Sequence, residues 1–299
     1  MSRPATHAGT WYTADPTSLA AKVSQWINGA SHPAIGRFLV GPHAGLSYCG
    51  SILGQTYSAL DPSVELAFIM GPSHVEYFSG FRTTKFKEYL TPLGTSPIDT
   101  EITSKFHKNG VKYLNSDCDL QEHGIEMHLP FLQTIAPKAR LVPLVFSDMG
   151  QEDDDLVIKL LSPYFNDRKT AFIVSTDFCH WGNSFGYFGY MAKDGSTIVA
   201  LTPLLQISQP IWKSIQNLDN QAMLIASSGD PVEWDNYIEE TGNTICGQKP
   251  LSVLLHLGVA NGSRMQFQWM GYKQSSKVQS INDVSVSYAS AVSVLTKSH

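Results

Sequence analysis

The sequence predicts an α/β fold: one domain spanning 1–299, with a mixed, mostly parallel sheet covered by helices. Three observations predict it. Four short apolar runs barely alternate with polar residues, as expected of strands covered on both faces. Stretches of helical periodicity lie between and after them. No Gly/Ser linker, long charge run or low-complexity block divides the chain. The 299 residues are 42% hydrophobic and 11% aromatic, which excludes disorder as the dominant state. Only 16% are charged, and 26 acidic against 21 basic side chains leave a net charge of -5. That balance argues against a nucleic-acid grip, which needs a basic face. No apolar run reaches the about 18 residues that a membrane span requires.

The four runs are Phe38–Val40, Leu66–Met70, Leu141–Phe146 and Ala171–Val174. Helices are expected at Ser51–Leu60, Thr100–Lys108, Glu126–Ile135 and Leu156–Phe165. Later helices are expected at Pro210–Ser227, Pro231–Thr241 and Lys249–Ala260. The acidic cluster Glu152–Asp155 suits a first helical turn, where the dipole favours negative charge. Two late strands are expected, Met265–Tyr272 and Val284–Leu295, and Phe81–Leu90 reads as an antiparallel excursion. The start, Met1–Asp15, lacks the basic and greasy regions of a secretory signal. With no such signal, Cys49, Cys118, Cys179 and Cys246 read as reduced thiols, which points to the cytoplasm.

Chemistry gathers just after the buried runs. The first leads into Gly41-Pro42-His43-Ala44-Gly45, the second into Gly71-Pro72-Ser73-His74, the third into Ser147-Asp148. The fourth leads into Ser175-Thr176-Asp177-Phe178-Cys179-His180. Ligands of open α/β sheets bind outside the carboxyl ends of the strands, so His43, His74, Asp177 and His180 are expected to share a cleft. Glycine permits the sharp exit and proline stiffens it, which would hold both imidazoles on a rigid edge. Two such imidazoles are a good start for a metal site. Cys246, in Asn243-Thr244-Ile245-Cys246-Gly247, precedes an apolar helix that Thr244 or Asn243 could cap. At that position the dipole would favour its thiolate, either a soft metal ligand or a nucleophile. Two His and a thiolate suit copper, iron or zinc rather than magnesium or calcium.

Asp177 and His180 lie three apart. His180 could act as a general base with Asp177 fixing its tautomer, or Asp177 could complete the metal shell; the spacing does not choose. With Cys246 as nucleophile and His180 as base, a hydrolase is a third reading. In Glu122-His123-Gly124-Ile125-Glu126-Met127-His128-Leu129-Pro130, His123 and Glu126 would share a helical face. His123 is taken as a cleft residue and the others as supporting. His256 reads as core, and His7, His32, His107 and His299 as surface or loop. Trp11 and Tyr12 would rim a pocket or pin the adjoining segment.

These stretches, with His7-Ala8-Gly9-Thr10-Trp11-Tyr12 and Ser285-Val286-Ser287-Tyr288-Ala289, closely resemble the Memo family, mediators of receptor-tyrosine-kinase-driven cell motility. The motifs run in order over essentially the whole chain. The resemblance implies a fold like that of the class III extradiol dioxygenases, non-haem iron enzymes with a two-His, one-carboxylate site. It implies a cysteine in the carboxylate's place, with His43, His74 and Cys246 as ligands of copper or iron, and Asp177 and His180 as neighbouring cleft residues. It further implies redox chemistry, cytoskeletal or growth signalling, a cytoplasmic and also nuclear setting, and a phosphotyrosyl peptide or signalling protein as partner, with Trp11 at the rim. A soft thiolate shifts preference away from facial-triad iron chemistry, so catechol cleavage is not expected. The competing reading is a phosphopeptide-binding module without catalysis, weakened by the lack of an Arg cluster near the motifs.

Overall fold

The computed structural model describes residues 1–31, 34–195, 198–203 and 206–297; the expectations for His32 and His299 lie outside them. The large sheet contains β1 (Phe38–Gly41), β2 (Leu66–Pro72), β3 (Phe81–Thr83), β4 (Lys112–Tyr113), β5 (Arg140–Phe146), β6 (Thr170–Ser175), β7 (His180–Trp181), β8 (Ser263–Gln274) and β9 (Ser285–Lys297). Their order is β7-β9-β1-β6-β2-β5-β3-β4, with β8 also on β9. The four apolar runs form the parallel centre, β1-β6-β2-β5. The late strands add an antiparallel flank on β1, and β3 runs antiparallel to β5. The fold is thus mixed α/β, as expected. Of the predicted excursion, only 81–83 joins this sheet. Glu88–Thr91 pairs instead with Ser2–Arg3 and Gly94–Pro97 in a small separate sheet.

Successive strand residues point to opposite faces. Phe38, Val40, Phe68, Met70, Val142, Leu144, Phe172 and Val174 enter one core cluster, while Leu39, Ala67, Ile69, Leu141, Val145, Ala171 and Ile173 enter the other. Because both faces are buried, neither set could be polar, which is why the runs do not alternate. Phe172 of β6 stacks between Phe38 and Phe68, with ring centroids 5.6 and 5.1 Å apart. Such pairs add about 0.5–1.5 kcal/mol beyond area burial and help to fix the register.

The helices are α1 (Pro16–Asn28), α2 (Leu46–Ser58), α3 (Thr100–Lys108), α4 (Ser116–Gln121), α5 (Leu129–Ile135), α6 (Gln151–Phe165), α7 (Ile211–Ser228), α8 (Pro231–Thr241) and α9 (Gln248–Ala260). The first cluster is closed by α3, α6, α7, α8 and α9, the second by α1, α2 and α5. Glu152, Asp153 and Asp154 occupy the first turn of α6. The helix expected at 126–135 is split: a single 3-10 turn, Glu126–His128, precedes α5, with Pro130 in its first turn. None of the described helices is long and apolar enough to cross a membrane.

Leaving β1, the chain enters α2 on one face of the sheet; beyond β6 it reaches α7–α9 on the other. Neighbouring strands whose exits diverge in this way open a crevice at their carboxyl ends. The second residues beyond each strand, His43 and Asp177, meet there.

Candidate metal centre

His43 lies two residues beyond β1, and its backbone N–H donates to Asp177 Oδ1 at 2.9 Å. Its ring is buried, with Nδ1 2.7 Å from Ser175 Oγ at the end of β6. Ser175 donates its only hydroxyl proton to the Gly124 carbonyl at 2.6 Å. It can therefore only accept from His43, whose Nδ1 carries the proton and whose Nε2 keeps its lone pair. Nε2 lies 3.3 Å from Cys246 Sγ. Burial and the neighbouring imidazoles hold the His43 pKa well below its ordinary value, so the ring is neutral.

His74 is anchored differently. Glu122 accepts from both its backbone N–H and its Nδ1, each at 2.7 Å. Burial alone would lower its pKa, but hydrogen bonds to Cys246 and Glu122, with the charges of both, outweigh that and hold it up at about 10. Glu122 also accepts from Gly124 N–H at 2.9 Å. Burial works against its ionisation, yet these bonds keep its carboxyl below the usual range. A buried carboxylate on the distal nitrogen is a common support for a metal-binding imidazole.

Cys246 sits two residues before α9 and is partly buried. The expected cap is not formed: Gly247 is the N-cap and makes no side-chain bond. Thr244 instead contacts His180, and Asn243 contacts Tyr237 and Asp219. The sulfur receives the Asp177 N–H at 3.2 Å, and Gly247 N–H donates to Thr176 Oγ1 at 2.8 Å. A Cβ on Gly247 would lie 2.3 Å from Thr176 Cβ, so this close approach requires glycine. The result is convergence from three distant parts of the chain. One ligand atom each of His43, His74 and Cys246 lies within 4.8 Å of the others. Asp177 is not in that group, and its Oδ1 is engaged by His43 N–H.

All seven residues singled out from the sequence (Trp11, His43, His74, His123, Asp177, His180 and Cys246) line one cleft of about 850 Å³. Two of the expected relationships differ. Asp177 does not orient His180: the His180 Nδ1 donates to the Thr244 carbonyl at 3.0 Å, which leaves Nε2 as the basic nitrogen. Burial lowers the His180 pKa. Burial raises Asp177 to about 7. His123 and Glu126 do not share a helical face, because His123 precedes the 3-10 turn. His123 stacks on His74 at 4.1 Å and lies 4.2 Å from Trp11. Burial and the charge on His74 bring its pKa down to about 4. Ser147 and Asp148 stay out of the cleft; Ser147 Oγ accepts from the Phe78 backbone. His256 is not core but partly exposed beside Asp235, because its face of α9 meets α8 rather than the sheet.

The family model described as Memo-like protein matches residues 3–292. The chain belongs to the Memo-like family. It is 37% identical to the MEMO1 family protein MHO1 of Saccharomyces cerevisiae, over 96% of this chain and 97% of that one. It is 36% identical to Protein MEMO1 of Xenopus tropicalis (99% and 98% covered) and 35% identical to Protein MEMO1 of Homo sapiens (97% and 96%). Among solved structures, an uncharacterised protein of Escherichia coli K12 covers 84% of this chain and 98% of its own. Its 14% identity and TM-score of 0.43 add nothing to the family assignment.

In this Memo-like chain, sequence reasoning missed Ser175 as the tautomer lock of His43 and Arg3 as a wholly buried cation. Glu126, taken only as supporting, is equally buried and binds residues 3–12. His7, expected at the surface or in a loop, lies in a turn and is packed against Glu126, Trp11 and His123. Ser175 had a signal, because it directly follows the apolar run on the chemistry-rich strand end. Arg3 had none, since its partners lie more than a hundred residues away.

Proposed function

We propose that the cleft holds a redox-active transition ion, copper or iron, on His43 Nε2, His74 Nε2 and Cys246 Sγ, and that the protein acts through it in cytoskeletal or growth signalling. The observation that carries this reading is the convergence of the three donors within 4.8 Å, with both imidazoles anchored through Nδ1. The donor set fits the ions: a soft sulfur with two nitrogens suits copper, iron or zinc. An ion held there would supply one-electron exchange. The chain's own part is to hold and aim. Ser175 and Glu122 orient the rings. The buried carboxylic group of Asp177 fixes the His43 backbone and so the bend after β1. His180, with Nδ1–H spent on Thr244, presents Nε2 to the cleft as a proton acceptor. Catechol cleavage is not part of this proposal.

The phosphopeptide reading is less well supported, because neither Arg nor Lys is among the described residues lining the cleft, and phosphate recognition relies on such groups. Metal analysis of untagged protein tests the proposal. The wild type should retain copper or iron and a Cys246→Ser, His74→Ala double variant should not. Equal metal content in both would remove the site. Calorimetry with a phosphotyrosyl peptide should show no heat that depends on the cleft.

A further inference from the structure

Residues 3–12 form one wall of the cleft, through Thr10 and Trp11. The buried carboxylate of Glu126 gathers several of them, with the buried Asp119 carboxylate also 3.2 Å from Arg3 Nε. Glu126 Oε2 accepts from Arg3 Nη1 at 2.6 Å and His7 Nδ1 at 2.8 Å. Its Oε1 accepts from His7 N–H at 2.9 Å and Tyr12 Oη at 2.8 Å. Arg3 reaches further with the rest of its fork. Nε donates to the Asp119 carbonyl at 2.9 Å, and Nη2 to the Leu120 and Glu122 carbonyls at 3.2 and 2.8 Å. Those carbonyls close the end of α4 and lead into Glu122, whose carboxylate anchors His74. From the opposite side, Trp11 packs on His123, and His123 stacks on His74.

We infer that Arg3 and Glu126 are positioning residues that latch residues 3–12 onto the Glu122 turn, so that the aim of His74 and access to Cys246 are set by a buried ion pair outside the cleft. A buried pair is seldom more stabilising than apolar packing of the same shape, whereas it does specify a single arrangement of its partners. Apart from Tyr89, whose ring lies 4.9 Å from the guanidinium, and the Asp119 carboxylate, 3.2 Å from Nε, the partners of the pair belong either to the wall or to the segment that leads into Glu122 behind His74. The planar guanidinium supplies donors in fixed directions, which a lysine ammonium cannot reproduce. The consequence for ion binding rests on the metal reading above; the latch itself does not.

The test uses Arg3→Lys, Glu126→Gln and, as a control, Arg140→Lys in a Cys118→Ser background, since Cys118 is the other partly exposed thiol and Cys49 and Cys179 are buried. Two quantities are read: the alkylation rate of Cys246 in metal-free protein, and the affinity of the folded protein for Co(II). Arg3→Lys and Glu126→Gln should speed alkylation several-fold. Both should also weaken Co(II) binding by about tenfold or more, as lost outer-shell support typically does. Arg140→Lys, at the Asp99 ion pair away from the cleft, should change either quantity little. A lower melting temperature with unchanged alkylation and Co(II) affinity would reduce the pair to a structural role and overturn the inference. Should Glu126→Gln not fold, Arg3→Lys still decides, because it keeps both charges and alters only the fork. Faster alkylation in a protein whose wild type binds no Co(II) would uphold the latch and sink the metal reading.

Discussion

Removing the Ser175 hydroxyl should damage the site through a proton rather than through shape. Ser175 Oγ is buried between the Gly124 carbonyl at 2.6 Å and His43 Nδ1 at 2.7 Å. In Ser175→Ala both groups lose their partner, and a space of one oxygen is too small for a water. Each buried unsatisfied group costs about 1–3 kcal/mol, so the fold should lose about 2–6 kcal/mol. The larger consequence is chemical. Without the hydroxyl, the His43 proton is free to move to Nε2, the nitrogen 3.3 Å from Cys246 Sγ, where it would occupy the ion's position. Loss of such support typically weakens ion binding 10–100-fold, about 1.4–2.7 kcal/mol. Denaturant unfolding reads the first effect and competitive Cu(I) titration the second, while histidine NMR of the metal-free wild type reports the tautomer directly. A wild-type His43 protonated on Nε2, or a folded Ser175→Ala protein with undiminished Cu(I) affinity, would refute the reasoning.

Ion binding at neutral pH should release a proton from His74, because its pKa of about 10 leaves the ring charged in metal-free protein. Calorimetry in buffers of different ionisation enthalpy should detect that release, and Glu122→Gln should diminish it. The raised His74 pKa also stabilises the metal-free fold: the contribution is fully present below the unfolded value of about 6.5 and is lost as pH rises through about 10. The stability gap between wild type and Glu122→Gln should therefore close over that range in pH-dependent unfolding. Asp177 gives a slope of the same sign over a lower range: its pKa of about 7 means that ionising the buried acid destabilises the fold progressively as pH rises from about 4 to about 7. Asp177→Asn should flatten that slope in metal-free protein and be at least as stable as wild type at neutral pH, provided its side-chain oxygen still accepts from His43. Gly247→Ala would force a Cβ to 2.3 Å from Thr176 Cβ; it should cost about 1–3 kcal/mol by overpacking and displace Cys246, which ultraviolet thiolate-to-metal absorption of the Co(II)-loaded protein would show.

The central strands were legible because burial on both faces leaves no room for polar residues. Phe38–Val40 and Ala171–Val174 announce themselves by composition alone. So were His43 and His74, since a strand's carboxyl end is a place in the sequence as well as in space. What could not be read was which strands are neighbours. That β6 lies between β1 and β2 is what brings Ser175 beneath His43 and Asp177 against its backbone, and no local pattern encodes strand order. The same holds for His180, whose nearest carboxylate in sequence is Asp177 but whose partner in space is the Thr244 carbonyl. Arg3 was invisible for a related reason. A cation near the start of a chain looks solvated until a buried Glu126 is placed beside it.

The two Gly-Pro-(Ser)-His motifs look interchangeable, yet the fold makes their imidazoles unlike. His43 is anchored by a neutral hydroxyl and deeply buried, so it is a lone-pair donor whether or not an ion is bound. His74 is anchored by a buried carboxylate and is itself partly exposed, so it holds a proton that a bound ion would have to displace. One sulfur therefore faces a fixed acceptor on one side and an exchangeable cation on the other. Such a pairing makes affinity depend on pH through one ring only, and it places the control at Glu122, the residue whose carbonyl Arg3 grips. If the three donors hold an ion as proposed, the carboxylate behind His74 is where its affinity can be tuned without touching the donors.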